Sequence, residues 1–130
     1  MQRVLESGRV LLFLLLGFQV FWVQANDELV APFETGWKYL DDGSDQGINW
    51  HEPSFDDGIW SSGSAPFGYG YGVEATVIDG GPGVARHITS YYRSTFHVND
   101  PALYVDISLL AMCDDGIVVY INGTEVLRNN

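Results

Sequence analysis

Along residues 26–130 the apolar positions alternate; they do not recur at the three-and-four spacing of an amphipathic helix. In residues 88–98, Ile88, Tyr92, Phe96 and Val98 fall on one side, and Thr89, Tyr91, Arg93, Thr95 and His97 on the other. In residues 103–112, Leu103, Val105, Ile107, Leu109 and Ala111 share a side. Tyr104, Asp106 and Ser108 open the opposite side, which turns apolar at Leu110 and Met112. Successive strand side chains point to opposite faces, so each segment predicts a strand with one buried face. Asn99-Asp100-Pro101 between them has turn chemistry. Residues 117–121 are β-branched and aromatic, and Asn122-Gly123 separates them from Thr124-Glu125-Val126-Leu127. Asn-Gly tolerates positive φ at both central positions of a type I′ turn, so a hairpin is expected. Asp114-Asp115-Gly116 reads as a second turn in which glycine supplies the positive φ, giving three consecutive antiparallel strands.

The first half is looser. Residues 37–40 and 73–78 predict short strands. Between residues 41 and 83, Gly, Asp and Ser are threaded with Trp50, Phe55, Trp60, Phe67, Tyr69 and Tyr71. Such loops suit a sandwich whose long connections pack back onto the sheet. No internal repeat or linker breaks the chain, so one domain is expected. A two-sheet sandwich needs about seven or eight strands. The pattern supplies five or six, and the domain is therefore expected to continue beyond Asn130, with this chain incomplete at its C-terminal side.

The start of the chain has another character. Arg3 and Arg9 precede an apolar run of 14 residues, 10–23, which ends in Val23-Gln24-Ala25. This is the layout of a signal peptide with cleavage after Ala25. A membrane-spanning anchor, the alternative, needs about 20 apolar residues. The expected organisation is a leader over 1–25, a lead-in over 26–35 and a β-module over 36–130. The location would then be extracellular, periplasmic or on the cell surface, with no membrane attachment after cleavage.

Composition sharpens this. The chain is 46% hydrophobic and 14% aromatic, too rich in core-forming residues for disorder. Beyond the leader, Lys38, Arg86, Arg93 and Arg128 face 16 carboxylates, a net charge of −12. Nucleic-acid binding through phosphate neutralisation is excluded by that balance, and a single cysteine excludes a disulfide-knit miniprotein.

Catalytic spacing is absent. His51, His87 and His97 form neither H-x-H nor H-E-x-x-H, and Gly68-Tyr69-Gly70-Tyr71-Gly72 lacks the strand-to-helix context of a phosphate loop. Asp41 and Glu52 have the first-to-twelfth separation of an EF-hand, but Gly43 and Gln46 occupy positions that motif reserves for a ligand and for glycine. A looser structural Ca²⁺ site on Asp41, Asp42 or Asp45 stays open as the one cofactor in view. Asp56-Asp57-Gly58 reads as a turn, and Cys113 as a buried free thiol. Asn122-Gly123-Thr124 satisfies the N-glycosylation sequon, although turn geometry alone accounts for Asn-Gly. Arg93, on the outward side of its strand, is expected to pair with a carboxylate such as Asp106 rather than with a ligand.

Gly36-Trp37-Lys38-Tyr39-Leu40-Asp41-Asp42-Gly43-Ser44-Asp45, then Trp50, Phe55-Asp56-Asp57-Gly58-Ile59-Trp60 and Ala65-Pro66-Phe67-Gly68-Tyr69-Gly70 follow one another through the first half. Together with Tyr91-Tyr92-Arg93-Ser94-Thr95-Phe96 and the stretch from Asp114 through Val126, they resemble a galactose-binding-domain-like jelly roll. The resemblance implies an all-β jelly-roll or β-sandwich fold. Such modules stand in secreted multidomain proteins beside metallophosphoesterase, purple-acid-phosphatase-like or glycosidase domains. It also casts Trp50 and Trp60 as packing residues. The alternative, a carbohydrate platform of exposed rings, applies to Trp50, Trp60, Tyr69 and Tyr71, and stays most open for the two tyrosines. The expected function is a secreted, non-catalytic module that binds glycan or docks against a downstream catalytic domain of the same polypeptide. The alternatives are an accessory piece of a secreted hydrolase, foremost a metallophosphoesterase, and an adhesion domain without a small ligand.

Overall fold

A computed structural model describes residues 8–15, 27–29, 36–98 and 100–129. They are essentially all β: one 3-10 turn, Pro101–Leu103, stands among ten short strands. The strands are β1 (Gly8–Leu15), β2 (Asp27–Leu29), β3 (Trp37–Leu40), β4 (Ser61–Gly63), β5 (Phe67–Gly68), β6 (Thr76–Val77), β7 (Tyr91–Arg93), β8 (Tyr104–Met112), β9 (Ile117–Ile121) and β10 (Thr124–Asn129). This fits a β-sandwich. Among the described residues no helix is long and apolar enough to cross a membrane.

The central sheet runs β4-β3-β7, antiparallel throughout. Tyr39 stands opposite Tyr92 and Leu40 opposite Tyr91. On one face Trp37, Tyr39 and Tyr92 close over Phe67, whose ring centroid lies 5.3 Å from that of Tyr39 and 4.9 Å from that of Tyr92. On the other face Tyr91 meets Trp50 edge-on at 5.0 Å and Trp60 at 6.0 Å. The 44–60 connection therefore packs back on the sheet, as its aromatics predict. Gly63 makes room for the first layer: a Cβ there would stand 2.7 Å from Thr76 Oγ1 and 2.8 Å from the Phe67 ring. The Thr76 hydroxyl donates to Ser64 O and accepts from Ser64 N, 2.8 Å each.

Three expectations for residues 88–98 are corrected. The ladder covers only Tyr91–Arg93, because its partner β3 is four residues long. Ile88 is fully exposed and Phe96 is 39% exposed, while Tyr91, on the face expected to be polar, is buried. Both faces of β7 are covered, so alternation does not sort them into core and solvent. Arg93 does not turn to Asp106. Its Nε donates to Asp57 Oδ2 at 2.8 Å and its Nη1 to Trp50 O, with the guanidinium over the Phe55 ring. Across the ladder Lys38 faces Arg93, and the like charges are relieved because Lys38 Nζ donates to Trp60 O.

The hairpin forms as expected, with φ of 50° at Asn122 and 81° at Gly123. A bulge between Glu125 and Leu127 resets the alternation, so Arg128 comes to the same side as Glu125 and grips it with two bonds of 2.7 and 2.8 Å. His51 stacks on Tyr120 at 4.3 Å, which ties the hairpin to the 44–60 connection. The three consecutive antiparallel strands are not found: β9 pairs with β10, and β8 pairs instead with β1, parallel and over eight positions. The apolar segment 8–15, set aside as leader in the sequence reading, satisfies its backbone along that edge. At Asp114-Asp115-Gly116 it is Asp115, not glycine, that takes positive φ (68°). The strand expected over 73–78 is reduced to Thr76–Val77, parallel to Phe67–Gly68. In the turn before β8, Asn99 lies outside the described residues, and Asp100 caps the 3-10 turn by accepting from Ala102 N. Of the face expected to be buried on β8, the side chains of Leu103, Val105 and Ile107 also lie outside the described ones. Cys113 is a free thiol, half-buried rather than buried.

The Arg93–Asp57 pair sits partly out of water, at 17% and 30% side-chain exposure. Asp57→Ala leaves that guanidinium without its carboxylate. Denaturant unfolding should show a loss of about 2 kcal/mol, of the size expected for an orphaned, partly buried charge partner. A change within error would mean that the pair does not hold the 44–60 connection to the sheet.

Candidate functional site

An open cleft of about 1790 Å³ lies between the Phe67 layer and the β9 hairpin strand. Its rim is built by three connections. The first carries Tyr69 and Tyr71, with Gly70 and Gly72 at φ of 90° and 74° turning the chain between and after them. Glu74 fixes this turn: its two carboxylate oxygens accept from Tyr71 N at 2.8 Å and Val73 N at 2.9 Å. Those backbone bonds, the one from Tyr71 foremost, hold the Glu74 carboxyl below the ordinary glutamate value.

The second connection is residues 79–87. His87 Nδ1 lies 2.7 Å from Asp41 O and 3.1 Å from Asp79 O. Both partners can only accept, so Nδ1 carries the proton. The His87 amide donates to Gly80 O at 3.0 Å, and a Cβ on Gly43 or Gly81 would strike the imidazole at 2.6 or 2.7 Å. Next to this anchored histidine, the Arg86 guanidinium lies over the Tyr69 ring, 4.7 Å from its centroid. Gly80 approaches the same ring so closely that a Cβ would come within 2.3 Å of it. The third connection, between β8 and β9, brings Asp114, whose Oδ2 accepts from the Tyr71 hydroxyl at 2.7 Å. That hydrogen bond, with the charge of Asp114 behind it, raises the Tyr71 phenol above its ordinary value.

The structure thus brings Tyr69 and Tyr71 together on one rim. Tyr71 is 72% exposed, whereas Tyr69, at 40%, is held between Gly80 and Arg86. Trp50 also lines the cleft but is half-buried, edge-on to Tyr91 and Tyr120. Trp60 is buried at 3% exposure, outside the lining. Arg93 is engaged by Asp57 and Trp50. Asn122 is exposed at the hairpin tip, and the Glu52 carboxylate lies against its neighbour Gly123. The acidic trio disperses: Asp41 accepts from Asp79 N, Asp42 from Ser44, and Asp45 from Gly47 N. Among the described residues no group of three His, Cys, Asp or Glu is gathered as a metal site.

Sequence reasoning missed Arg86, His87, Glu74 and Asp114 as builders of this rim. The one available signal was scarcity, since Arg86 is one of four fixed cations after residue 25. The rim offers ring faces and hydrogen-bonding groups held in place, which is binding chemistry. No protein-family model, curated protein or solved structure matches the chain.

The Glu74 clamp has a definite pH dependence. A carboxylate whose folded pKa is depressed contributes fully above the ordinary glutamate value and loses its contribution as pH falls through the lowered one. The amide signals of Tyr71 and Val73 should therefore shift together on acidification, with a midpoint below 4.5. In Glu74→Gln that titration should vanish. Independent behaviour of the two amides in an NMR titration would contradict the clamp.

Proposed function

We propose that the chain is a secreted, non-catalytic β-sandwich module of the galactose-binding-like jelly-roll class whose cleft rim binds carbohydrate. The observation that carries this reading is Tyr71. Its ring is exposed, yet its hydroxyl is anchored on Asp114 and its backbone on Glu74. A pyranose presents an apolar C–H face that packs on an aromatic ring. A ring already fixed in place loses little conformational entropy on stacking. The hydroxyls of the sugar would find Arg86 and the Asp114 turn on the same rim. The reading calls for no cofactor.

Docking against a neighbouring domain is the second reading. It is favoured by Ile48 and Ile59, 83% and 94% exposed on the connection that covers the opposite face of the sheet.

Glycan-array screening of the full chain, followed by calorimetric titration of the sugars retained, tests the first reading. Tyr71→Ala should weaken binding about tenfold, the scale of one aromatic stacking contact. Tyr71→Phe keeps the ring and should retain most of the affinity. A folded chain that retains no sugar, or one indifferent to Tyr71→Ala, would leave the docking reading in its place.

A further inference from the structure

The charge balance singles out one side chain on the rim. Residues 26–130 hold four fixed cations and 16 carboxylates, so a cation with neither a carboxylate nor a carbonyl partner is unexpected. Arg93 pairs with Asp57 and Arg128 with Glu125, each at 2.8 Å or less, and Lys38 donates to Trp60 O. Arg86 has neither carboxylate nor carbonyl within bonding distance among the described residues; its contact is the face of Tyr69. A guanidinium over a ring is attracted by the ring face without spending its N–H donors on an acceptor. Those donors form a planar fork that matches a carboxylate with two parallel bonds.

The backbone that carries Arg86 is also held in place. His87, the next residue, is fixed by Asp41 O, Asp79 O and Gly80 O, and Gly80 closes against the Tyr69 ring from which Arg86 is suspended. Of the acidic groups that line the cleft, Glu74 is engaged with two backbone amides and Asp114 with the Tyr71 hydroxyl. Neither of them neutralises Arg86.

Resting on the glycan reading above, we propose that the ligand is an acidic glycan containing hexuronic acid. Its sugar ring packs on Tyr71, and a uronate carboxylate is received by the Arg86 fork. The net charge of −11 makes the discrimination local. A densely sulfated chain would be repelled by the module as a whole, whereas a carboxylate carried singly on each ring can be accepted at one guanidinium.

The test is calorimetric titration of the full chain with three ligands of matched length: oligogalacturonate, neutral oligogalactose and sulfated oligogalactose. The expected order places oligogalacturonate about tenfold tighter than the neutral chain, with the sulfated one weaker than the uronate. Arg86→Gln should bring uronate and neutral affinities within about twofold of each other. Because Arg86 holds no structural bond among the described residues, the variant should keep the far-UV spectrum of the parent. Tyr71→Ala should weaken both ligands together. Neutral binding through Tyr71 without preference for uronate, or a preference that survives Arg86→Gln, overturns this inference and leaves the glycan reading standing. Tighter binding of the sulfated chain likewise overturns the carboxylate assignment alone. A chain that binds none of the three overturns both.

Discussion

Everything described here depends on two tyrosines adjacent in sequence pointing to opposite sides of one short strand. Tyr92 completes the layer with Tyr39, Phe67 and Trp37, and Tyr91 completes the layer with Trp50 and Trp60. A strand of three residues has few ladder bonds, so its register is set by what its side chains bury. A slip of one position against β3 would set Ser90 or Arg93 where a tyrosine ring now stands and leave one layer incomplete. Large rings suit this arrangement because each removes much apolar area from water at few positions. The cleft follows from the same pair, since the Phe67 layer supports the Tyr69–Tyr71 turn and Trp50 reaches the hairpin through Tyr120.

Local chemistry was legible and tertiary choice was not. The Asn122-Gly123 turn depends on two residues that tolerate positive φ, so sequence suffices to place it. The short strand at 37–40 was read from a looser pattern and is present. The segment 88–98 failed because alternation reports a period, not how many residues find a ladder partner, and β3 offers only four positions. Arg93 failed for a related reason. A charge on a strand can turn to the neighbouring strand or to a loop folded over it, and only the path of the 44–60 connection decides for Asp57. The turn at Asp114 was read as turn chemistry, which it is, but its reach to Tyr71 spans 43 residues and has no local signature. Tyr69 and Tyr71 were visible as candidates because glycines flank them. That Tyr69 is flanked by Gly80 and Arg86 while Tyr71 stands clear depends on a connection whose course no pattern announces.

The acidity of the chain has a physical use apart from any ligand. Asp42, Asp45, Asp56, Asp79 and Asp100 each accept from the backbone N–H two residues on. Glu74 does the same for two amides. In long connections without ladders these side chains stand in for strand partners and satisfy donors that would otherwise need water. A surplus of carboxylates therefore has a structural use in these loops without any ion.

The same reasoning applied to cations gives the opposite result and locates the unusual part of the molecule. Where carboxylates are abundant, an arginine meets one unless the fold keeps it away. The rim keeps Arg86 away by two means. Tyr69 supplies a face for the guanidinium that needs no counter-charge, and the nearby acids are already occupied by an amide or a hydroxyl. Each of those bonds shapes the rim and also preserves a positive charge on it. Glu74 and Asp114 hold the tyrosine turn, and the Arg86 charge stays on the rim.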